Sequence, residues 1–162
     1  MAKGMGGHQS AAMLNDEWLT PPAIIKALGE FDLDPCSPIA RPMDTARQHF
    51  TIEDDGLSRA WFGRVWLNPP YGARAAVWLR RLMTHGTGTA LIFARTETAM
   101  FFECVWNAAS AVFFFEGRLH FHHVNGERAD ANAGAPSCLI AYGKRDRDAI
   151  SRSGLRGKLI DL

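Results

Sequence analysis

Val65-Trp66-Leu67-Asn68-Pro69-Pro70-Tyr71-Gly72 is an apolar run that stops on an asparagine followed by two prolines. The run has the length and character of a short strand, and proline ends it because proline cannot donate to a sheet ladder. A helix-compatible stretch follows from Arg74 to Met83. Ala75, Trp78, Leu79, Leu82 and Met83 fall on one face of it, with Arg74 and Arg81 on another. Strand, turn and helix in this order put residues 68–71 at the mouth of a strand, where open α/β sheets bind ligands. Two successive prolines remove two backbone donors, so the local carbonyls stay free to accept hydrogen bonds. The Asn68 side-chain carbonyl beside such a backbone carbonyl makes a two-acceptor pincer that suits an exocyclic NH2 group. Tyr71 adds a flat ring on which a planar base can lie. The same tetrapeptide also reads as an Asn-Pro turn with a core tyrosine.

Working outward, Thr20-Pro21-Pro22 reads as an N-cap with prolines in the first turn of a helix. Ile24, Ile25 and Leu28 form its apolar face and Gly29 closes it. Phe31 to Asp34 is a predicted strand stopped by Pro35, and Cys36 to Gly63 is mostly loop and short turns. After the helix at Arg74, the expected order is strand Thr89–Ala94, helix Thr96–Ala109 with Thr96 as its cap, and strand Ala111–Phe115. An extended piece from Arg118 to His122, a polar loop from Asn125 to Gly134 and a last strand, Ser137–Tyr142, complete the pattern. Strands alternating with helices at this spacing predict an α/β sheet, mostly parallel. The late strands, joined without room for a helix, predict an antiparallel hairpin at its end. Residues 1–13 read as a flexible lead, 14–143 as one domain and 144–162 as a basic tail. That tail reads either as solvated chain or as a phosphate-binding arm.

A chain of 162 residues, 47% apolar and 22% charged, suits one domain with its own core. Its net charge of +1 carries no global polycationic signal, so a nucleic-acid partner would be held by local basic patches. Cys36, Cys104 and Cys138 are widely spaced and odd in number. They fit neither a disulfide framework nor a zinc site, which points to a reducing cytoplasm. His120, His122 and His123 cluster without a cysteine nearby, and no metal site is expected. No stretch approaches the length of a membrane span.

A second constellation lies at the end of the first predicted strand, in Phe31-Asp32-Leu33-Asp34-Pro35-Cys36. In a doubly wound sheet a nucleotide-like ligand sits there, yet the Gly-x-Gly-x-x-Gly that cradles a pyrophosphate is absent. A carboxylate at Asp34 suits a positively charged group, or it caps the loop before Pro35. Downstream, Glu53, Asp54 and Asp55 could offer a carboxylate to a ribose or an amino group, or form a solvated turn.

Taken in order, Asp16-Glu17-Trp18-x-Thr20-Pro21, Phe31 to Cys36, Asp54-Asp55-Gly56-Leu57 and Val65 to Tyr71 form one set with Gly117-Arg118-Leu119-x-Phe121 and Ala135-Pro136-Ser137. This set resembles the phage-type DNA N6-adenine methyltransferase (Dam) family over residues 16–142. The resemblance implies a single-domain, Rossmann-like methyltransferase sheet trimmed after its first strand, with S-adenosylmethionine (SAM) as methyl donor and double-stranded DNA as partner. It implies that Asn68 and the Pro69 carbonyl accept from the target N6 amino group, that Pro70 shapes the turn and that Tyr71 stacks on the extruded adenine. It further implies that Asp34, Pro35 and Cys36 form the SAM-binding loop, that Thr20 and Pro21 close over the methionine end, and that Asp54 or Asp55 sits near the adenosine. Arg74, Arg81, Arg118 and Arg128 are the candidates for DNA contact. A phage or prophage origin and a bacterial host cytoplasm go with the resemblance. The same tetrapeptide could also serve RNA adenine or a protein amide, and a non-catalytic DNA-binding remnant would retain part of the pattern.

Overall fold

In the computed structural model, residues 19–123, 125–130 and 133–162 are described. The expected lead at 1–13, Asp16-Glu17-Trp18 and part of the expected polar loop from Asn125 to Gly134 lie outside them. The chain forms helix α1 (Pro22–Leu28), strands β1 (Leu33–Asp34), β2 (Gln48–His49) and β3 (Val65–Leu67), then α2 (Arg74–His85) and β4 (Gly88–Phe93). It continues through the short α3 (Ala99–Phe101), β5 (Ala111–Phe115), β6 (Ser137–Tyr142), α4 (Lys144–Arg152) and β7 (Gly157–Asp161). All strands join one sheet in the order β2-β1-β3-β4-β6-β5-β7. The β1–β2, β1–β3 and β3–β4 pairs are parallel, whereas β6 is antiparallel to both β4 and β5, and β7 is antiparallel to β5. The fold is therefore α/β on a mixed sheet, parallel early and antiparallel late.

Side-chain alternation along the strands builds two cores. Val65, Leu67, Ala90 and Ile92 pack with Leu79, Leu82 and Phe101 on one face. Trp66 and Leu91 pack with Ile24, Leu28, Phe31 and Ile150 on the other. One-residue steps sending neighbours to opposite faces are what the pleat requires, and both faces are covered by helices. Helix α2 follows the expected stripe, with Ala75, Trp78, Leu79 and Leu82 buried. It runs on to His85 and ends at Gly86, which takes a left-handed φ of 81° and returns its N–H to the Leu82 carbonyl.

Several elements depart from the sequence expectation. Helix α1 carries no side-chain cap: Pro21 precedes it, Pro22 opens it, and Thr20 is used elsewhere. The helix expected over Thr96–Ala109 is capped at Thr98, whose side chain accepts from the Phe101 N–H, and it widens into a π turn at Phe102–Trp106. There the Cys104 carbonyl is taken by the Tyr142 hydroxyl, a tertiary bond that competes with the regular ladder. Among the described residues the piece from Arg118 to His122 forms no ladder strand, and His122 makes isolated bridges to Leu19 and Arg128. The antiparallel hairpin is instead β5 with β6, in register from Ala111↔Ala141 to Phe114↔Cys138, joined by a long excursion over residues 116–136. Within the expected loop after Cys36, Gln48 and His49 form β2 beside β1.

Residues 144–162, expected as a basic tail, are occupied by α4 and β7. A buried ion pair ties α4 to the sheet: Arg64 Nε donates to Asp146 Oδ1 at 2.8 Å. The same guanidinium donates to the Leu28 and Glu30 carbonyls at the end of α1 and lies 4.0 Å above the Phe31 ring. Thr89 on β4 donates to the same Asp146 oxygen at 2.7 Å.

Candidate active site

The chain leaves β1 for β2 on one side and returns to β3 on the other, so a crevice opens beyond the carboxyl ends of β1 and β3. Asp34 ends β1 and Asn68 follows β3. Asp34 is buried, and its Oδ1 accepts from the Cys36 N–H at 3.1 Å while its Oδ2 accepts from the Thr45 hydroxyl. Burial pushes its carboxyl up to about 6; the Thr45 and Cys36 bonds and the charge of Arg41 only partly oppose this. The Cys36 thiol is pushed up to about 12, first by burial and then by Asp34 beside it. It is a neutral thiol, not a nucleophile.

Asn68 donates from Nδ2 to Thr20 Oγ1 at 3.3 Å. The two ends of an amide diverge, so anchoring Nδ2 sets the direction of Oδ1. Tyr71 stacks on Phe93, with ring centroids 4.0 Å apart and planes 5° from parallel, and meets Phe121 edge-on at 6.2 Å. Its buried hydroxyl has no hydrogen-bond partner among the described residues, and burial raises its pKa well above the ordinary phenol value.

The turn at 54–57 is pressed onto the Asp34 loop by a glycine. A Cβ on Gly56 would lie 2.0 Å from the Pro35 carbonyl oxygen, so no other residue allows this approach. Asp54 and Asp55 diverge here. Asp54 Oδ2 accepts from the Thr51 N–H at 2.8 Å and caps its own turn. Asp55, in the left-handed region with φ 53°, lines the crevice. Between these segments lies a cavity of about 330 Å³. Of the expected site residues, Thr20, Asp34, Cys36, Asp55, Asn68, Pro70, Tyr71 and Arg74 line it; Pro21, Pro35, Pro69, Asp54, Arg81, Arg118 and Arg128 do not. Leu57, Trp66 and Trp78 supply apolar wall, a role the sequence reading did not give them. A shallower hollow of about 360 Å³ between α1 and residues 44–47 contains none of the expected site residues, shares Thr45 with the cavity and is not the chemical centre.

A family model described as DNA N-6-adenine-methyltransferase (Dam) matches residues 8–153. The chain belongs to the Dam family. No curated protein and no solved structure matches it. The match contains every residue that lines the cavity and ends before β7.

Around this Dam-family site the basic residues separate by what already holds them. Arg74 opens α2, is exposed and lines the cavity. Arg81 is committed to the protein, donating to the Arg59 carbonyl at 3.2 Å and lying 5.4 Å above the Trp61 ring. Arg118 donates to the Ala133 carbonyl at 3.2 Å within the 116–136 excursion, and Arg128 is exposed on it. Arg95, missed in the sequence, is exposed just beyond β4, at the same sheet end as Asn68. Its signal was available: a charged residue directly after the expected strand Thr89–Ala94. Phe93, Thr45 and His49 were also missed, because only the folded register sets them beside Tyr71 and Asp34. Among the described residues, no group of three or more His, Cys, Asp or Glu could hold a metal ion, and no helix is long and apolar enough to cross a membrane.

Proposed function

We propose that this chain transfers the methyl group of SAM to the N6 amino group of adenine in DNA. The observation that carries the proposal is a shared cavity into which both Asp34 and the Asn68-to-Tyr71 turn project, one from each side of the switch in strand order. The donor set fits SAM. A buried carboxylate whose surroundings disfavour its own charge has most to gain from a cation, and the methionine ammonium is one. Asp55 suits the ribose hydroxyls, and Leu57 and Trp78 suit the flat adenine. SAM, when bound, supplies a methyl group made electrophilic by its sulfonium.

The residues then do the work of orientation. An adenine amino nitrogen is a poor nucleophile because its lone pair is delocalised into the ring. Asn68, which lines the cavity, accepts through Oδ1 from one of its hydrogens; the Pro69 carbonyl beside it, outside the cavity lining, is the acceptor the family resemblance implies for the other. Two acceptors favour a more tetrahedral nitrogen, with its lone pair exposed for in-line attack. Thr20, by holding Asn68 Nδ2, sets the direction of the amide's acceptor end. Tyr71 backs onto Phe93, so an extruded base would use its other face. No covalent enzyme intermediate is needed, consistent with a Cys36 thiol that stays protonated. Phosphates would meet Arg74 at the start of α2 and Arg95, Arg118 and Arg128 on loops around the cavity end of the sheet, whereas Arg81 is turned onto Arg59 and Trp61. A Rossmann-like kinship of the sheet, a phage or prophage origin and a bacterial cytoplasm belong to the same proposal.

Incubation with tritiated SAM and DNA, RNA or protein, followed by digestion to nucleosides or amino acids, tests it. Label in N6-methyladenine from DNA is the expected result. Label confined to RNA adenine or to a glutamine amide would move the reaction to another substrate, and no transfer to any of them would make the chain a non-catalytic relative.

A further inference from the structure

Asp34 does not hold its own place: the turn that presents Thr45 to it is held by a histidine. Parallel pairing of β1 and β2 sets His49 opposite Asp34, and the Phe50 N–H bonds the Asp34 carbonyl at 2.8 Å. The His49 side chain is only 6% exposed. Its Nε2 accepts the backbone N–H of Thr45 at 3.2 Å and of Ala46 at 3.3 Å. Thr45 in turn donates its hydroxyl to Asp34 Oδ2.

We propose that His49 is a positioning residue for the cofactor carboxylate, acting as a neutral imidazole that pins the 44–46 turn and thereby keeps Thr45 on Asp34. The proposal rests on Asp34 being the group that receives the cofactor's ammonium. A ring nitrogen that accepts two N–H groups cannot itself carry a proton, so the turn is held only by the Nδ1–H tautomer. The charged groups facing the imidazole are Asp44, 3.9 Å from Nε2, and Arg41, which is itself paired with Asp44 at 3.1 Å; across the strand pair stands Asp34. Burial and then Arg41 lower the His49 pKa, with Asp44 opposing. At neutral pH the relay is therefore intact. Once protonated, Nε2 becomes a donor, is repelled by the two N–H groups and is drawn toward Asp44. The turn then lets go of Thr45, and Asp34 loses its hydroxyl partner.

The relay is tested by SAM calorimetry across pH 5 to 8 and by ¹³C NMR titration of the Asp34 carboxyl in the free protein. The variants are His49→Ala, His49→Gln, Thr45→Val and Thr45→Ser. His49→Ala and Thr45→Val should weaken SAM binding by about ten- to hundred-fold at pH 7.5, the loss of a hydrogen bond to a charged group. Both should also move the Asp34 midpoint upward. His49→Gln keeps an acceptor near the place of Nε2 and cannot titrate, so it should bind SAM within about threefold of wild type and lose one step of the acid fall-off. Thr45→Ser should restore binding. An Asp34 midpoint unmoved in both His49→Ala and Thr45→Val would overturn the relay whether or not SAM binds. A His49→Gln profile identical to wild type would overturn the histidine's part in it. Absence of SAM binding by the wild type, with the midpoint shifts present, would instead sink the cofactor role of Asp34 and leave the relay standing.

Discussion

At the scale of the residue, Asp34 stands in surroundings that oppose its own charge, and that opposition has a measurable sign. Its pKa rises from 3.8 to about 6 on folding, so the folded state holds the proton more tightly than the unfolded chain. The associated stability is fully present below 3.8 and is lost as pH rises through about 6. Above that, the free protein carries a buried charge at a cost of up to about 3 kcal/mol, since each tenfold gain in proton affinity on folding is worth about 1.4 kcal/mol. Asp34→Asn should therefore stabilise the ligand-free protein at pH 7.5 by about 1–3 kcal/mol in urea melts while abolishing SAM binding; a variant no more stable than wild type would contradict the cause given for the raised pKa. That Asn68, Asp34 and Tyr71 meet at the strand ends was legible in the sequence, because prolines mark both ends. Which of Asp54 and Asp55 faces the cavity was not, since it turns on which of two adjacent carboxylates is consumed by a local turn. Thr20 was misread as a helix cap for a related reason: a hydroxyl beside a proline pair looks like one until Asn68 is seen to hold it.

At the scale of the element, the site depends on close approach between loops. Gly56 lets the 54–57 turn lie against Pro35, and Trp61 Nε1 holds the Gly56 carbonyl at 2.8 Å. Gly56→Ala should push the two loops apart, destabilise the fold by about 1–3 kcal/mol and weaken SAM binding more than about ten-fold. Calorimetry and a thermal melt on the same sample check both, and unchanged binding would mean that Asp55 and Leu57 do not contribute to the site. The strands β5 and β6 and the helix α2 were readable from periodicity alone, because each buries a regular apolar pattern. What escaped was set by partners far along the chain. The two residues of β2 have no apolar signature and exist as a strand only beside β1. The π turn at Phe102–Trp106 answers to Tyr142, and the described part of the 116–136 excursion is bridged to Leu19 through His122.

At the scale of the whole molecule, one buried pair joins the C-terminal helix to the strand that carries the tetrapeptide. Removing Asp146 leaves Arg64 buried without its carboxylate, so Asp146→Ala should cost about 3–5 kcal/mol by denaturant unfolding. Replacing both partners by apolar residues, as in Arg64→Met with Asp146→Leu, should recover most of that loss, which separates the cost of an orphaned charge from the worth of the pair. The α/β class and the position of the site at the strand ends were legible from the order of strands and helices. The folding of residues 144–162 was not, because a helix rich in Lys, Arg and Asp looks solvated until Asp146 finds Arg64 some 82 positions away. The central claim, that one cavity presents an amino group to a methyl donor, is tested most directly by comparing Asn68→Ala with wild type for N6-methyladenine formed in DNA from labelled SAM, alongside SAM affinity. The pincer predicts transfer lost by at least about a hundred-fold with SAM affinity held within a few-fold; transfer at near the wild-type rate would contradict it.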